Sequence, residues 1–256
     1  MDFITSIVFG IIEGITEFLP ISSTGHLILT AHVLKIPQSD FVKTFEIAIQ
    51  LGAIMAVVWL YGKTLFTDLR VLKRVFVAFI PTALVGLALY PLIKRFLLGN
   101  SAVVVAALFL GGIFLILFEL LHRERQNDIQ AIANIPYDTA LCIGLFQSIA
   151  LIPGVSRAAA TIIGGLALRL KRKAIVEFSF LLAVPTMCAA VGLDLLKSAK
   201  LFSHAQYGVL AVGFLTSFVV GVASIKFLLY FIKSHNFIYF GVYRIVVAVV
   251  FWYALL

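Results

Sequence analysis

Four ionisable residues, Glu13, Glu17, His26 and Arg157, stand inside otherwise apolar sequence, where an unpaired charge is costly and is usually kept for a purpose. The first region reads Glu13-Gly14-Ile15-Thr16-Glu17-Phe18-Leu19-Pro20-Ile21-Ser22-Ser23-Thr24-Gly25-His26. Glu13 and Glu17 are four residues apart, so on a helix both carboxylates leave one face. Two like charges that close call for a cation, a proton or a basic substrate group between them. Ser22, Ser23 and Thr24 lead into the helix that carries His26. Helix capping would explain one of these hydroxyls but not three. A helix N-terminus is also a site for anions, through its free N–H groups and positive dipole end. His26 beside Ser23 is a candidate general base, acid or nucleophile, set against the plainer alternative of a satisfied interior histidine. The second region, Pro153-Gly154-Val155-Ser156-Arg157-Ala158-Ala159-Ala160-Thr161, sets a permanent cation in an apolar stretch. Arg157 requires an anion: either phosphate oxygens, which a guanidinium binds bidentately, or Glu13 or Glu17 in a structural ion pair. Gly154 allows close approach of a ligand to the turn, and Ser156 and Thr161 add hydroxyls. Arg244 is a second cation within a span and carries the same ambiguity, while Glu46, Gln50, Gln147 and Glu177 are either site groups or interhelical hydrogen-bonding groups. Two acids able to hold a divalent metal (Glu13 and Glu17), a Ser/His pair and an Arg/Ser/Thr cradle describe a phosphate-handling site. They leave hydrolysis and transport both open.

The elements that must position these residues are membrane helices. Apolar runs cover roughly 42–61, 75–93, 102–121, 174–196, 207–232 and 237–256, each able to cross a hydrocarbon core about 30 Å thick. Residues 4–34 and 137–168 differ, because each is broken at a Pro/Ser/Gly turn into two pieces too short to span. Such pieces read as re-entrant hairpins, whose irregular backbone must line a protein-enclosed cavity. The two broken regions resemble each other: with Pro20 set on Pro153, Ser23 falls on Ser156, and Glu46 and Glu177 each open a long apolar run about 25 residues later. The expected fold is therefore all-α and polytopic, with about six full transmembrane helices and two re-entrant hairpins in an inverted repeat. Residues 1–256 would form a single membrane domain with halves of approximately 1–121 and 137–256.

Composition agrees. Of 256 residues, 62% are hydrophobic and 12% charged, and the mean hydropathy is +1.11. A soluble domain, a disordered chain, a disulfide-stapled module and an outer-membrane barrel are excluded. Cys142 and Cys188 lie in apolar runs and read as small core hydrophobes. The net charge of +8 comes from bases in short loops, which suits membrane lipids rather than nucleic acid. Asp2, Glu13 and Glu17 argue against a cleavable signal peptide. With each hairpin entering and leaving on one face, Lys63, Arg70, Lys73, Arg74, Arg123, Arg125, Arg169, Lys171, Arg172, Lys173 and Lys233 share one side. Lys35, Lys43, Lys94, Arg95, Lys197 and Lys200 share the other. The larger set belongs in the cytoplasm, which puts both termini outside.

The stretch from Glu13 to His26 resembles the first signature of the undecaprenyl-diphosphate phosphatases, the bacitracin-resistance family, and Pro153 to Arg157 followed by Thr161 resembles the second. The likeness continues through Lys43-Thr44-Phe45-Glu46, Ile49-Gln50-Leu51-Gly52, the run from Glu177 to Pro185, and Tyr243-Arg244. It implies a plasma-membrane enzyme of bacteria that removes the terminal phosphate from a C55 polyprenyl diphosphate, recycling the carrier for cell-wall synthesis and conferring bacitracin resistance. It also implies a divalent cation, Mg²⁺ or Ca²⁺, at Glu13 and Glu17, catalytic roles for Glu17, Ser23, His26 and Arg157, and a site open to the outer face. Ser22, Thr24, Gly154, Ser156 and Thr161 would bind the phosphates. A transporter or flippase of a phosphorylated lipid is the alternative reading, and a homodimer is left open. The family commonly has Ser-Arg-Ser-Gly where this chain has Ser156-Arg157-Ala158-Ala159, from which an altered phosphate affinity is expected.

Overall fold

A computed structural model describes residues 1–37, 39–92, 100–198 and 204–255. The described residues are helical throughout, apart from turns and one isolated bridge. Helices α1 (Phe3–Thr16) and α2 (Ser23–Val33) form the first broken region, followed by α3 (Asp40–Thr67), α4 (Leu69–Leu92) and α5 (Ser101–Leu121). Helices α6 (Tyr137–Ser148) and α7 (Arg157–Ala167) form the second broken region, followed by α8 (Arg172–Ser198), α9 (His204–Phe231) and α10 (Ile238–Leu255). Five of these, α3, α4, α5, α8 and α9, are long and apolar enough to cross a membrane; the run expected at 237–256 forms the shorter α10. Side chains supply the caps. The Asp2 carboxylate accepts from Thr5 N–H at 2.8 Å, and the Asn100 side chain accepts from the N–H groups of Ala102 and Val103. Asp68 separates α3 from α4 and accepts from the N–H groups of Arg70 and Val71, so one residue ends a helix and starts the next.

Each broken region returns to the face it started from. At the second, the backbones of Ile129 and Leu170 form a bridge, with Ile129 N–H donating to Arg169 O and Lys171 N–H to Ile129 O, both at 2.9 Å. The loop entering α6 is thus tied to the turn leaving α7. At the first, Ala31 near the end of α2 packs in one cluster with Phe9 of α1, Phe45 of α3 and Val209 of α9. The two mouths lie at opposite ends of α3. Its start packs at the first mouth, whereas the chain after its end enters α4, where Arg74 donates to Ile135 O beside the second mouth at 2.6 Å. Twenty-eight helical residues separate the two, about 42 Å at 1.5 Å per residue.

The breaks share a backbone conformation, in a register one residue from the expected one. Ser22 has φ 72° and Ser156 has φ 77°, and each accepts through its side chain from the N–H three residues on, Gly25 or Ala159. Thirteen residues after each serine comes a basic residue with positive φ, Lys35 or Arg169. The helix-ending bonds also correspond: Ile36 N–H donates to Ala31 O in one, and Leu170 N–H to Gly165 O in the other. Ser22, not Ser23, is therefore the counterpart of Ser156. The shared prolines point to the other register because the second turn holds one more residue between proline and cap.

The described members of the larger basic set gather at the second mouth. Arg74 reaches Ile135, while Arg172 pairs with Glu119 and lies over the Phe237 ring in the loop that also holds Lys233. Of the smaller set, Lys94, Arg95 and Lys200 fall outside the described residues, as does the Lys197 side chain. Large apolar side chains such as Trp59, Leu121 and Tyr253 point outward, as a lipid-solvated surface allows. Inside, helices meet through small residues. A Cβ added at Gly52 of α3 would collide with the Phe214 carbonyl oxygen of α9. Gly52→Leu is accordingly expected to destabilise the protein by at least about 1–3 kcal/mol. Thermal unfolding in detergent checks this, and an unchanged midpoint would contradict the close approach of α3 and α9.

Candidate active site

The guanidinium of Arg244, on α10, is fully buried and holds the two breaks together. Its Nη1 donates to Pro20 O at 3.2 Å and Val155 O at 2.8 Å. Its Nη2 donates to Gly154 O and Ala107 O at 3.0 Å each, and Nε to Leu108 O at 3.4 Å. Among the described residues no carboxylate pairs with it. Five carbonyl dipoles take that place, and three of them belong to the broken turns, where helical bonding has lapsed. Pro20 and Gly154 are equivalent positions in the register set by Ser22 and Ser156. Gly154 adopts φ 95°, and a Cβ there would lie 2.6 Å from Val104 O of α5, so glycine is required on both counts. The positive φ of Ser22 and Ser156, costly for a residue with a side chain, persists because neighbouring carbonyls are fixed by Arg244.

With the breaks joined, their polar side chains meet. Arg157 Nη2 contacts Glu17 Oε1 at 3.0 Å, with both side chains nearly buried. Its Nη1 donates to Ser179 O at 2.8 Å, and its Nε is buried without a partner. The Ser23 hydroxyl donates to the other Glu17 oxygen, Oε2, at 2.7 Å. Glu17 therefore carries an arginine on one oxygen and a serine on the other, and the ion pair expected as a rival to phosphate binding is present. Glu13 is wholly buried, and both its oxygens lack a hydrogen-bond partner.

A chamber of about 180 Å³ opens beside this cluster. Glu17, Ser22, Ser23, Thr24, Gly154, Ser156 and Arg157 line it, together with Gln50 of α3 and Met187 and Ala190 of α8. Helices α2 and α7 both begin at its wall, so two sets of free N–H groups and two positive dipole ends meet there. Three expected site residues stand elsewhere. Thr161 is buried and donates to Arg157 O at 2.9 Å, with Gln147 beside it, so it supports the arginine's backbone. Gln147 donates to Thr82 and Thr186 and acts between helices. His26 does not bond Ser23. Its Nδ1 meets Ser22 O at 2.7 Å and its Nε2 meets the Tyr243 hydroxyl at 2.8 Å, the two rings lying parallel. A carbonyl only accepts, so Nδ1 carries the proton, and neutral Nε2 accepts from Tyr243. Ala158 is fully buried against the main apolar core, and neither it nor Ala159 lines the chamber. An effect of Ala158 on phosphate affinity has no direct route in this geometry.

The model of the family "Bacitracin resistance protein BacA" matches residues 6–250. The undecaprenyl-diphosphatase of Aquifex aeolicus is 53% identical over 246 residues, 96% of each chain. That of Sulfurihydrogenibium sp. is 49% identical over 99% of this chain and all of its own. The chain belongs to the BacA family. Within this BacA chain, two site-building residues were not assigned roles from sequence. In the sequence Tyr243 stands out only as the neighbour of Arg244, and Ser179 only as part of a motif run. Tyr243 sits 217 residues from its histidine, a separation at which local spacing gives no signal.

Arg244→Gln, with two amide N–H donors, would leave at least three of the five carbonyls without their donor. It should cost about 3 kcal/mol or more and weaken the whole protein rather than one loop. Heat unfolding of the purified variant tests this, and wild-type stability would contradict the seat described for Arg244.

Proposed function

We infer that this BacA-family chain is an undecaprenyl-diphosphate phosphatase, releasing inorganic phosphate and undecaprenyl phosphate and so conferring bacitracin resistance. Relatives named undecaprenyl-diphosphatase match it at 46–53% identity over nearly the whole chain. The structural observation that carries the reading is the Ser23–Glu17–Arg157 cluster on the chamber wall, where an alcohol, a base and a phosphate-binding cation converge.

The terminal phosphate of the substrate enters the chamber between the starts of α2 and α7. Arg157 turns from Glu17 to the phosphate oxygens, on which charge builds as the bridging oxygen departs. Freed of the arginine, Glu17 takes the proton that Ser23 already directs at Oε2, and Ser23 Oγ attacks phosphorus. Undecaprenyl phosphate leaves, and water then releases phosphate from the serine. His26 holds the first turn of α2 through Ser22 O, and Tyr243 fixes its other ring nitrogen, while the proton that water gives up leaves with the released phosphate. Glu13, buried with both oxygens uncommitted, fits a divalent cation, Mg²⁺ or Ca²⁺, shared with Glu17. Among the described residues no third acidic, histidine or cysteine ligand joins a metal cluster, so Glu13 and Glu17 are the residues that would hold the ion. The ion would supply positive charge to the phosphate oxygens.

The two halves, approximately 1–121 and 137–256, are proposed to form an inverted repeat, which the opposed mouths and matched breaks support. In the bacterial plasma membrane the end rich in Arg and Lys faces the cytoplasm. The chamber is lined by Met187 and Ala190, late in a helix that begins at that end, which supports an opening on the outer face.

Phosphate release from C55 diphosphate by the detergent-purified protein is the test. Ser23→Ala should lower kcat at least about a hundredfold with the fold retained. Tyr243→Phe, which keeps the ring and removes the hydroxyl, should cause a smaller loss. A chelator should stop release, and Mg²⁺ or Ca²⁺ should restore it. Wild-type turnover in a folded Ser23→Ala variant would overturn the reading.

A further inference from the structure

A second cavity, of about 440 Å³, lies at the other end of α7 from the chamber, where the loop after α5 meets the end of that helix. Arg123, Arg125, Arg169 and His122 line it, with buried Leu166 and exposed Leu121 among its apolar walls. A basic loop at this end is ordinary membrane topology, but topology does not require three arginines to converge on one hollow. Nor does it leave them single. Elsewhere on the same face the arginines are engaged: Arg70 with Asp68, Arg74 with Ile135 O and the Tyr137 ring, and Arg172 with Glu119, Glu124 and the Phe237 ring. Among the described residues, the guanidiniums of Arg123, Arg125 and Arg169 have no ion pair or hydrogen bond. The acid in the cavity wall, Asp128, is buried, and its Oδ2 accepts from Arg125 N–H at 2.7 Å, which shapes the loop and leaves the side chains free. His122 is stacked on Phe118, and its Nε2 is buried with no partner. At the rim, Leu121, the last residue of α5, is 85% exposed.

We propose that this cavity is a second phosphate-binding site, for the phosphomonoester head of an anionic lipid in the leaflet on the Arg/Lys-rich side. Three guanidiniums supply the forked donors that a phosphate dianion takes, and the orphan His122 nitrogen supplies a fourth polar contact. The exposed Leu121 beside them favours a ligand with a tail in the bilayer over a free ion. The site shares no residue with the catalytic chamber, and its occupancy does not depend on the diphosphatase reading.

Full-length protein in nanodiscs of phosphatidylcholine is titrated with phosphatidic acid, and bound lipid is counted by native mass spectrometry. The wild type should hold one phosphatidic acid tightly. Arg123→Gln/Arg125→Gln/Arg169→Gly, with glycine suited to the positive φ at 169, should bind it at least about tenfold more weakly. The comparison is Lys63→Gln/Arg70→Gln/Lys73→Gln, which removes as much charge from the same face outside the cavity and should bind like the wild type. Equal weakening in both triples would reduce the effect to surface charge and overturn the site. Displacement of the lipid by millimolar inorganic phosphate would make the ligand a free ion and overturn the lipid assignment. Unchanged phosphate release from C55 diphosphate shows that the variants are folded. If the triple variant fails to fold, Arg123→Gln and Arg125→Gln, both exposed, are compared singly against Arg70→Gln with the same outcomes.

Discussion

A guanidinium that cannot lose its proton, buried where no carboxylate of the described residues reaches it, must be solvated by the protein itself. Arg244 is in that position, and the fold is arranged around the five carbonyl oxygens that solvate it. Carbonyls in an intact helix are engaged and screened by side chains one turn on. Pro20, Gly154 and Val155 are free to accept because they lie in the two breaks. Ala107 and Leu108 lie within α5, but the residues one turn on are Gly111 and Gly112, and a Cβ at Gly111 would collide with the guanidinium. Two interrupted hairpins and one paired glycine are thus the conditions for burying one arginine. In return, the arginine sets how far apart the two hairpin tips can be.

That separation makes the chamber. Arg157 opens the second returning helix and Glu17 lies just before the first turn, and the two meet because Pro20 and Gly154 are held by a common cation. Ser23 completes the cluster from the first turn of α2, so a serine, a glutamate and an arginine from parts of the chain far apart in sequence share one wall of the chamber. Glu13, one turn below Glu17, remains uncompensated by any hydrogen bond. In a bilayer interior such a carboxylate has to be neutralised, by a proton or by a cation. The rest of the molecule, long helices in contact through Gly52 and similar small residues, keeps this arrangement rigid against the lipid.

Much of this was legible in the sequence because burial makes charge conspicuous. The broken helices, the long spans and the positions of Glu13, Glu17, Ser23 and Arg157 followed from hydropathy and from a few polar residues where none should be. The errors came from interactions that leave no local trace. The repeat was set one residue out of register because proline is more visible than positive φ; Ser22 and Ser156 are ordinary serines until their backbone is seen. His26 was matched with Ser23 by nearness in sequence, whereas one helical turn directs its ring away from the chamber, to Tyr243 on α10. Thr161 read as a phosphate donor, but on its helix it faces inward to Arg157 O. Arg244 was recognised as buried, but its partners are backbone atoms, which no residue pattern announces.

The central claim is that Glu17 and Arg157, one from each half, act as a single unit on phosphate. A double-mutant cycle on kcat/KM for phosphate release from C55 diphosphate tests it, using Glu17→Gln, Arg157→Gln and the pair. The account predicts strong coupling, with the double variant little slower than the slower single. Losses that add in free energy to within about 0.5 kcal/mol would show two independent residues and contradict the account.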